Sequence, residues 1–208
     1  YTSGTTGRPK GVVSHHRGSY LMTMGTVISW RMTLNPVFMA IVPLFHCNGW
    51  NHTWMMPVLG GTVVCCRDIL AKTIYDAIAD EGVQYFGGAP IVLNMIVNAK
   101  EEDRGEFDHQ VEVFTAGAPP APATLAKIET LGFNVTQVYG LTETYGHITE
   151  CVWDENQWGH LETQDRAAIK ARQGVAFPMM EHITVMDETL TQVAMDGQTQ
   201  GEIMIRGN

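Results

Sequence analysis

The chain has 208 residues, 45% of them hydrophobic and 17% charged, enough to bury the core of one globular domain or most of one. Its 22 acidic against 13 basic residues, a formal charge of −9, exclude a general polyanion-binding surface, which needs surplus Lys and Arg to displace counterions; no nucleic-acid partner is expected. No apolar run approaches the ~20 residues that cross a bilayer, and Cys47, Cys65, Cys66 and Cys151 have neither paired metal-ligand spacing nor the density of a disulfide scaffold. The expectation is a protein without a transmembrane segment, its thiols free in a reducing cytoplasm. No signal peptide is read, since no basic region precedes an apolar stretch and a cleavage site.

The chain opens on Tyr1-Thr2-Ser3-Gly4-Thr5-Thr6-Gly7-Arg8-Pro9-Lys10-Gly11. Glycines let backbone N–H groups approach a ligand, hydroxyls add donors, and Lys10 adds a point charge, which together meet the needs of a polyphosphate cradle. A flexible linker would share the composition but not the ordered Pro9-Lys10-Gly11 after the hydroxyls. A P-loop NTPase is disfavoured, because Lys10 follows Gly7 by three residues and Gly11 stands where Ser or Thr is required.

Beyond the loop, residues 14–28 read as a helix and 38–42 as a strand. Pro43-Leu44-Phe45-His46-Cys47-Asn48-Gly49-Trp50 follows, then a helix over 51–59 that Gly60-Gly61 closes before a strand at 62–66. His46 and Trp50 lie four apart at this strand-to-helix transition and can border one pocket, although a lone His or Trp there is also ordinary core packing. His52 nearby raises a metal reading, but no closed ligand set accompanies it.

Helices at 71–80 and 91–99 alternate with strands at 83–86 and 111–115, and the charges of 100–110 mark a surface loop. Ala116-Gly117-Ala118-Pro119 then leads to a helix over 122–131, started by Pro119, Pro120 and Pro122 and ended at Gly132. A strand at 135–139 runs into Tyr139-Gly140-Leu141-Thr142-Glu143. Taken alone, Thr142 and Glu143 also suit a helix cap and a first-turn acid, and Tyr139 suits a core strand. From 153 to 175 the rhythm weakens, and strands at 181–187 and 201–207 suggest a small β-rich C-terminal extension. The interleaving predicts an α/β fold, a mainly parallel sheet with flanking helices, whose chemistry sits on the strand-end loops.

Taken together, these segments resemble the adenylate-forming (AMP-binding) superfamily, in particular its acyl-CoA synthetase or fatty-acyl-CoA ligase branch. Residues 1–11 look like its phosphate loop, 43–50 its acyl-pocket motif, 116–119 its adenine-pocket motif and 139–143 its nucleotide and magnesium motif. The resemblance implies that Thr2, Ser3, Gly4, Thr5, Thr6, Gly7 and Lys10 hold ATP phosphates, with Gly117, Ala118, Pro119, Tyr139 and Gly140 around the base. It implies that Thr142 meets the α-phosphate, that Glu143 binds Mg²⁺ with Thr2 as an additional contributor, and that His46 and Trp50 border the acid, with Gly146 leaving it room.

The implied reaction is activation of a fatty or other aliphatic carboxylic acid by ATP to acyl-AMP with release of pyrophosphate, then thioester formation with CoA. A nucleotide-binding fragment or pseudoenzyme without turnover, or an adenylation domain for another acid class, is the alternative. No acid follows the acyl-pocket motif in Trp50-Asn51-His52-Thr53-Trp54, which favours a substrate without an α-ammonium group. Within the resemblance, residues 1–208 form a partial AMP-binding domain lacking the preceding N-terminal part and a C-terminal domain that carries a catalytic lysine. A homo-oligomer stays open for the full-length parent.

Overall fold

Strand-length apolar runs separated by helix-length stretches favour crossover connections and a parallel sheet over hairpins. In the computed structural model, which describes residues 1–2 and 7–207 and only the backbone of Cys47, Asn48 and Trp50, the chain makes four such crossovers. Strands β1 (Val37–Ala40), β2 (Thr62–Cys65), β3 (Tyr85–Gly88), β4 (Val111–Thr115) and β5 (Phe133–Leu141) alternate with α1 (His16–Ser29), α2 (Cys47–Leu59), α3 (Ala71–Glu81), α4 (Pro90–Val97) and α5 (Pro122–Glu129). They lie in the order β2-β1-β3-β4-β5, each neighbouring pair parallel. The expected α/β architecture is therefore present.

Because successive side chains on a strand point to opposite faces, each short strand feeds two cores. Met39, Phe86 and Val113 face a cluster with Ile74, Ile78, Leu93, Ile96, Leu125 and Ile128. Their chain neighbours Phe38, Tyr85 and Phe114 face the other side, against Met32, Met55, Met56 and Leu59. Fully burying such a side chain contributes about 1.5–3 kcal/mol, so the two layers together fix the strand register.

The sheet continues beyond β5 in a way the sequence did not disclose. β6 (Gly146–Glu150) and β7 (Val175–Ala176) add antiparallel to its edge. The first of these begins at a glycine and carries His147, Thr149 and Glu150, so it lacks the apolar alternation that marks a strand. Residues 153–175, left unassigned above, contain α6 (Glu155–Trp158) and α7 (Thr163–Lys170). Only Ala167 and Lys170 of α7 are buried, so its apolar stripe is too narrow to read. Lys170 is held there by an ion pair with Glu129 and a 3.0 Å hydrogen bond to Asn134 Oδ1, joining α7 to α5 and β5.

Other boundaries moved by a few residues. Helix α2 starts at Cys47 rather than at 51, with Gly49 in its first turn; a Cβ on Gly49 would come within 2.6 Å of Pro43 O, so a residue of low helix propensity is required where the helix begins. Gly60 ends the same helix in the left-handed conformation, φ 65°, as its position suggested. The C-terminal extension is a separate two-stranded antiparallel sheet of β8 (Met180–Met186) and β9 (Glu202–Gly207).

Candidate functional site

In a parallel sheet with crossover helices, the loops that leave the carboxyl ends of the strands converge on one side, and ligands bind there. The chain brings together on that side the flank of the glycine- and hydroxyl-rich first loop, the segment after β1 and the turn after β5. A cavity of about 350 Å³ is lined by Tyr1, Ser14, Phe45, Asn51, Thr142 and Tyr145, among others. A larger open depression of about 640 Å³, lined by Arg104, Phe107, His109 and Gly132, lies at the amino ends of β4 and β5 and has none of the motif residues.

Thr2 and Lys10 close the first loop on itself, for the Thr2 N–H donates to Lys10 O at 2.9 Å in an isolated antiparallel bridge. Gly7 and Lys10 are exposed. Ser3, Gly4, Thr5 and Thr6 fall outside the described residues. The bridge pinches the loop at its base and leaves Gly7 and Lys10 at the surface.

Thr142, Glu143 and Thr144 form one turn of 3-10 helix between β5 and β6. The Thr144 hydroxyl ties this turn down: it accepts from Leu141 N–H at 2.9 Å and lies 2.7 Å from Gly146 O. Thr142 is half-buried at the cavity wall, and Glu143 is exposed. Tyr145 then takes a left-handed conformation, φ 64°, which is costly for a side chain with a Cβ and persists only where neighbours hold it. Those neighbours are identifiable. Asn51 Nδ2 donates to Tyr145 O, the His15 N–H donates to the tyrosine hydroxyl at 3.3 Å, and the ring lies over Gly18, where a Cβ would come within 2.6 Å of it.

Gly117, exposed just past β4, has φ 91° and nothing within 4 Å of a Cβ built on it, so the backbone of Gly117, Ala118 and Pro119 lies open beside the sheet. Tyr139 is half-buried on β5 opposite Thr149. Gly140 is tightly enclosed, since a Cβ there would run into Gly146 O across the strand pair. Gly146 is buried, with Asn51 Nδ2 at 2.9 Å and Met22 Sδ at 3.1 Å from the position of a Cβ.

His46 is the N-cap of α2, exposed, with its ring against Phe45 at 4.6 Å; it is Phe45 that lines the cavity. Trp50 lies on the first turns of α2, and its side chain is outside the described residues. Phe45, Asn51 and Tyr145 were not singled out from the sequence. Tyr145 had a usable signal in its place two residues after Glu143, whereas Asn51 had none, because its role depends on a contact 94 positions away.

Behind this wall sits a buried polar cluster. His52 packs edge-on against Trp30 and Phe38, and its pKa falls from 6.5 to about 3 because burial strips it of water and His147 lies nearby. Burial alone would raise the Glu150 carboxyl, but His147 at 3.6 Å and the Ser29 hydroxyl bring it below the ordinary range.

A family model described as AMP-binding enzyme matches residues 1–208. A peroxisomal acetate/butyrate–CoA ligase of Arabidopsis thaliana is 47% identical over 210 residues, which cover 100% of this chain and 37% of the relative. A 2-methylpropanoate–CoA ligase of Humulus lupulus is 45% identical over 208 residues, again 100% and 37%. The chain thus spans little more than a third of these relatives. Among solved structures, the inhibitor-bound N-terminal domain of FACL13 from Mycobacterium tuberculosis aligns with TM-score 0.83 at 23% identity, over 100% of this chain and 48% of that one. The O-succinylbenzoate coenzyme A synthetase of Bacillus subtilis, in complex with ATP and magnesium ion, aligns with TM-score 0.80 at 23% identity, over 100% and 40%. At that identity the likeness carries the fold. Matched from its first residue to its last, the chain belongs to the AMP-binding enzyme family.

Proposed function

We propose that this chain is the nucleotide- and acid-binding part of an acid–thiol ligase. A carboxylate oxygen attacks the α-phosphorus of ATP, pyrophosphate leaves, and the thiol of CoA then displaces AMP from the acyl carbon with loss of its proton. The observation that carries the reading is the single cavity bordered by the phosphate-loop flank, Phe45 and Thr142, because two anions must be neutralised and aligned there at once. Relatives named as CoA ligases for acetate, butyrate and 2-methylpropanoate support an aliphatic acid. The run Trp50-Asn51-His52-Thr53-Trp54 has no carboxylate to pair with an α-ammonium, which supports an acid that lacks one.

The donor set suits magnesium brought in on a nucleotide. Among the described residues no three His, Cys, Asp or Glu side chains gather into a metal site, whereas Glu143 is one exposed oxygen donor beside Thr142. Mg²⁺ keeps several waters and takes one or two carboxylates plus substrate phosphates. Glu143, with Thr2 contributing, would hold it, and it would supply charge neutralisation on the phosphates. The residues of this chain then act by position: Lys10 and the loop hydroxyls meet the leaving pyrophosphate, Thr142 meets the α-phosphate, and Gly117, Ala118, Pro119, Tyr139 and Gly140 border the base.

No helix among the described residues is long and apolar enough to cross a membrane. Cys65, Cys66 and Cys151 are free thiols, which supports a reducing compartment, and we assign the cytoplasm, although the Arabidopsis relative is named peroxisomal. The reaction is tested by incubating the full-length protein with ATP, Mg²⁺, CoA and aliphatic acids of graded length. Acid-dependent AMP and an acyl-CoA identified by mass are expected; AMP formation indifferent to acid would contradict the reading.

A further inference from the structure

Tyr145 ends the turn that carries Thr142 and Glu143, and both α1 and α2 hold it. Its carbonyl accepts a hydrogen bond from Asn51 Nδ2 on α2, its hydroxyl accepts one from the His15 N–H at 3.3 Å, and its ring lies over Gly18 of α1, 5.1 Å from the His15 ring. His15 caps α1 and directly follows Ser14, which lines the cavity of about 350 Å³ together with Asn51, Thr142 and Tyr145. One residue thus ties the flank of the first loop, α2 and the turn after β5 to each other. Asn51, only 6% exposed, is itself fixed by burial.

The bonds inside the turn, Leu141 N–H to the Thr144 hydroxyl at 2.9 Å and Tyr145 N–H to Thr142 O at 3.2 Å, set its shape but not its place relative to α1 and α2. The Tyr145 contacts set that place. At φ 64° the tyrosine occupies a region that a residue with a Cβ avoids, so releasing it favours rotation about its N–Cα bond. That rotation shifts Thr142, three residues earlier, relative to β6, which begins at Gly146. We propose that Asn51 and Tyr145 are positioning residues for adenylate formation, acting through the turn to hold Thr142 at the cavity wall. The inference rests on the reading of the chain as acid-activating and deepens it. Aligning two reactants demands this control, because a misplacement of about 1 Å costs on the order of 10²-fold in rate.

The experiment uses the full-length protein, Asn51→Leu, which keeps the side-chain size but has no donor, and Tyr145→Phe, which loses only the hydroxyl. It reads acid-dependent exchange of labelled pyrophosphate into ATP, and amide hydrogen exchange without ligands. The maximal rate should fall about tenfold or more in Asn51→Leu and severalfold in Tyr145→Phe, with the KM for ATP and for acid little changed. The Leu141 and Tyr145 amides should exchange faster in both variants while β3 and β4 stay protected. An unaltered maximal rate in either variant overturns the proposal. So does a loss confined to KM, or faster exchange throughout the sheet, which would make the contacts merely stabilising. If Asn51→Leu does not fold, Tyr145→Phe decides by the same readouts. If the unaltered protein shows no acid-dependent exchange of pyrophosphate, the acid-activating reading fails separately, and amide exchange decides the latch: faster exchange confined to the turn supports it, and unchanged exchange overturns it.

Discussion

His52 is buried among the rings of Trp30, Phe38 and Phe114, which disfavours its charged form and makes the fold sensitive to acid. With its pKa lowered from 6.5 to about 3, the unfolded chain binds a proton in that interval that the folded one does not. His52 therefore leaves stability unchanged above pH 6.5 and lowers it progressively on acidification towards 3, at up to about 1.4 kcal/mol per pH unit. Glu150 acts in the same direction over a lower range, since its depressed pKa also gives stability that disappears as the carboxylate protonates. Thermal unfolding followed between pH 7 and pH 4 should show this decline, and His52→Leu should flatten its upper part; parallel curves for the two proteins would remove His52 from the account. At the same scale, Glu143→Gln in the full-length protein should move the magnesium dependence of AMP formation to higher concentration without altering the use of one acid over another. Superimposable magnesium titrations would make Glu143 a turn residue only. The segment that carries Thr142 and Glu143 could be singled out because its motif is contiguous; Asn51 and Tyr145 could not, because a left-handed tyrosine held by a distant amide leaves no local pattern.

The element that matters most is the β5–turn–β6 unit, which carries Thr142 and Glu143 between two strands paired from Val138 and Glu150 to Leu141 and Gly146. Gly140 is its tightest point, as a Cβ there would run into Gly146 O. Gly140→Ala should therefore open the pair and move the turn, lowering both stability and ATP use. Unchanged unfolding temperature together with unchanged AMP formation would contradict that geometry. Gly60→Ala isolates a purely structural effect. The residue caps α2 at φ 65° far from the strand ends that gather the site, and forcing a Cβ into that conformation should cost about 1–2 kcal/mol in denaturant unfolding with nucleotide use intact. The end of α2 was readable, because Gly60 caps it where the backbone turns left-handed, whereas α5 ends at Glu129, three residues before the left-handed Gly132 expected to close it. β6 was hidden because its buried face carries His147 and its pairing glycine where apolar alternation would announce a strand, and α7 because an ion pair rather than an apolar stripe docks it.

For the molecule as a whole, the alternation of five strands with five helices already implied a parallel sheet, and the sheet's topology implied that the loops at its carboxyl ends share one side. What composition and spacing left open was how those loops meet, since the cavity joins Tyr1, Phe45, Asn51 and Thr142 across 142 positions of sequence. The central claim is that this meeting place activates an acid by way of its adenylate. The most direct measurement is acid-dependent exchange of labelled pyrophosphate into ATP by the full-length protein, compared with Lys10→Ala and Thr142→Ala, in the absence of CoA. The account predicts exchange only when an acid is present, reduced about tenfold or more by each substitution, as for the loss of a charge-assisted contact of about 1.5–3 kcal/mol. Exchange that proceeds without acid, or that is unaltered in both variants, would contradict it.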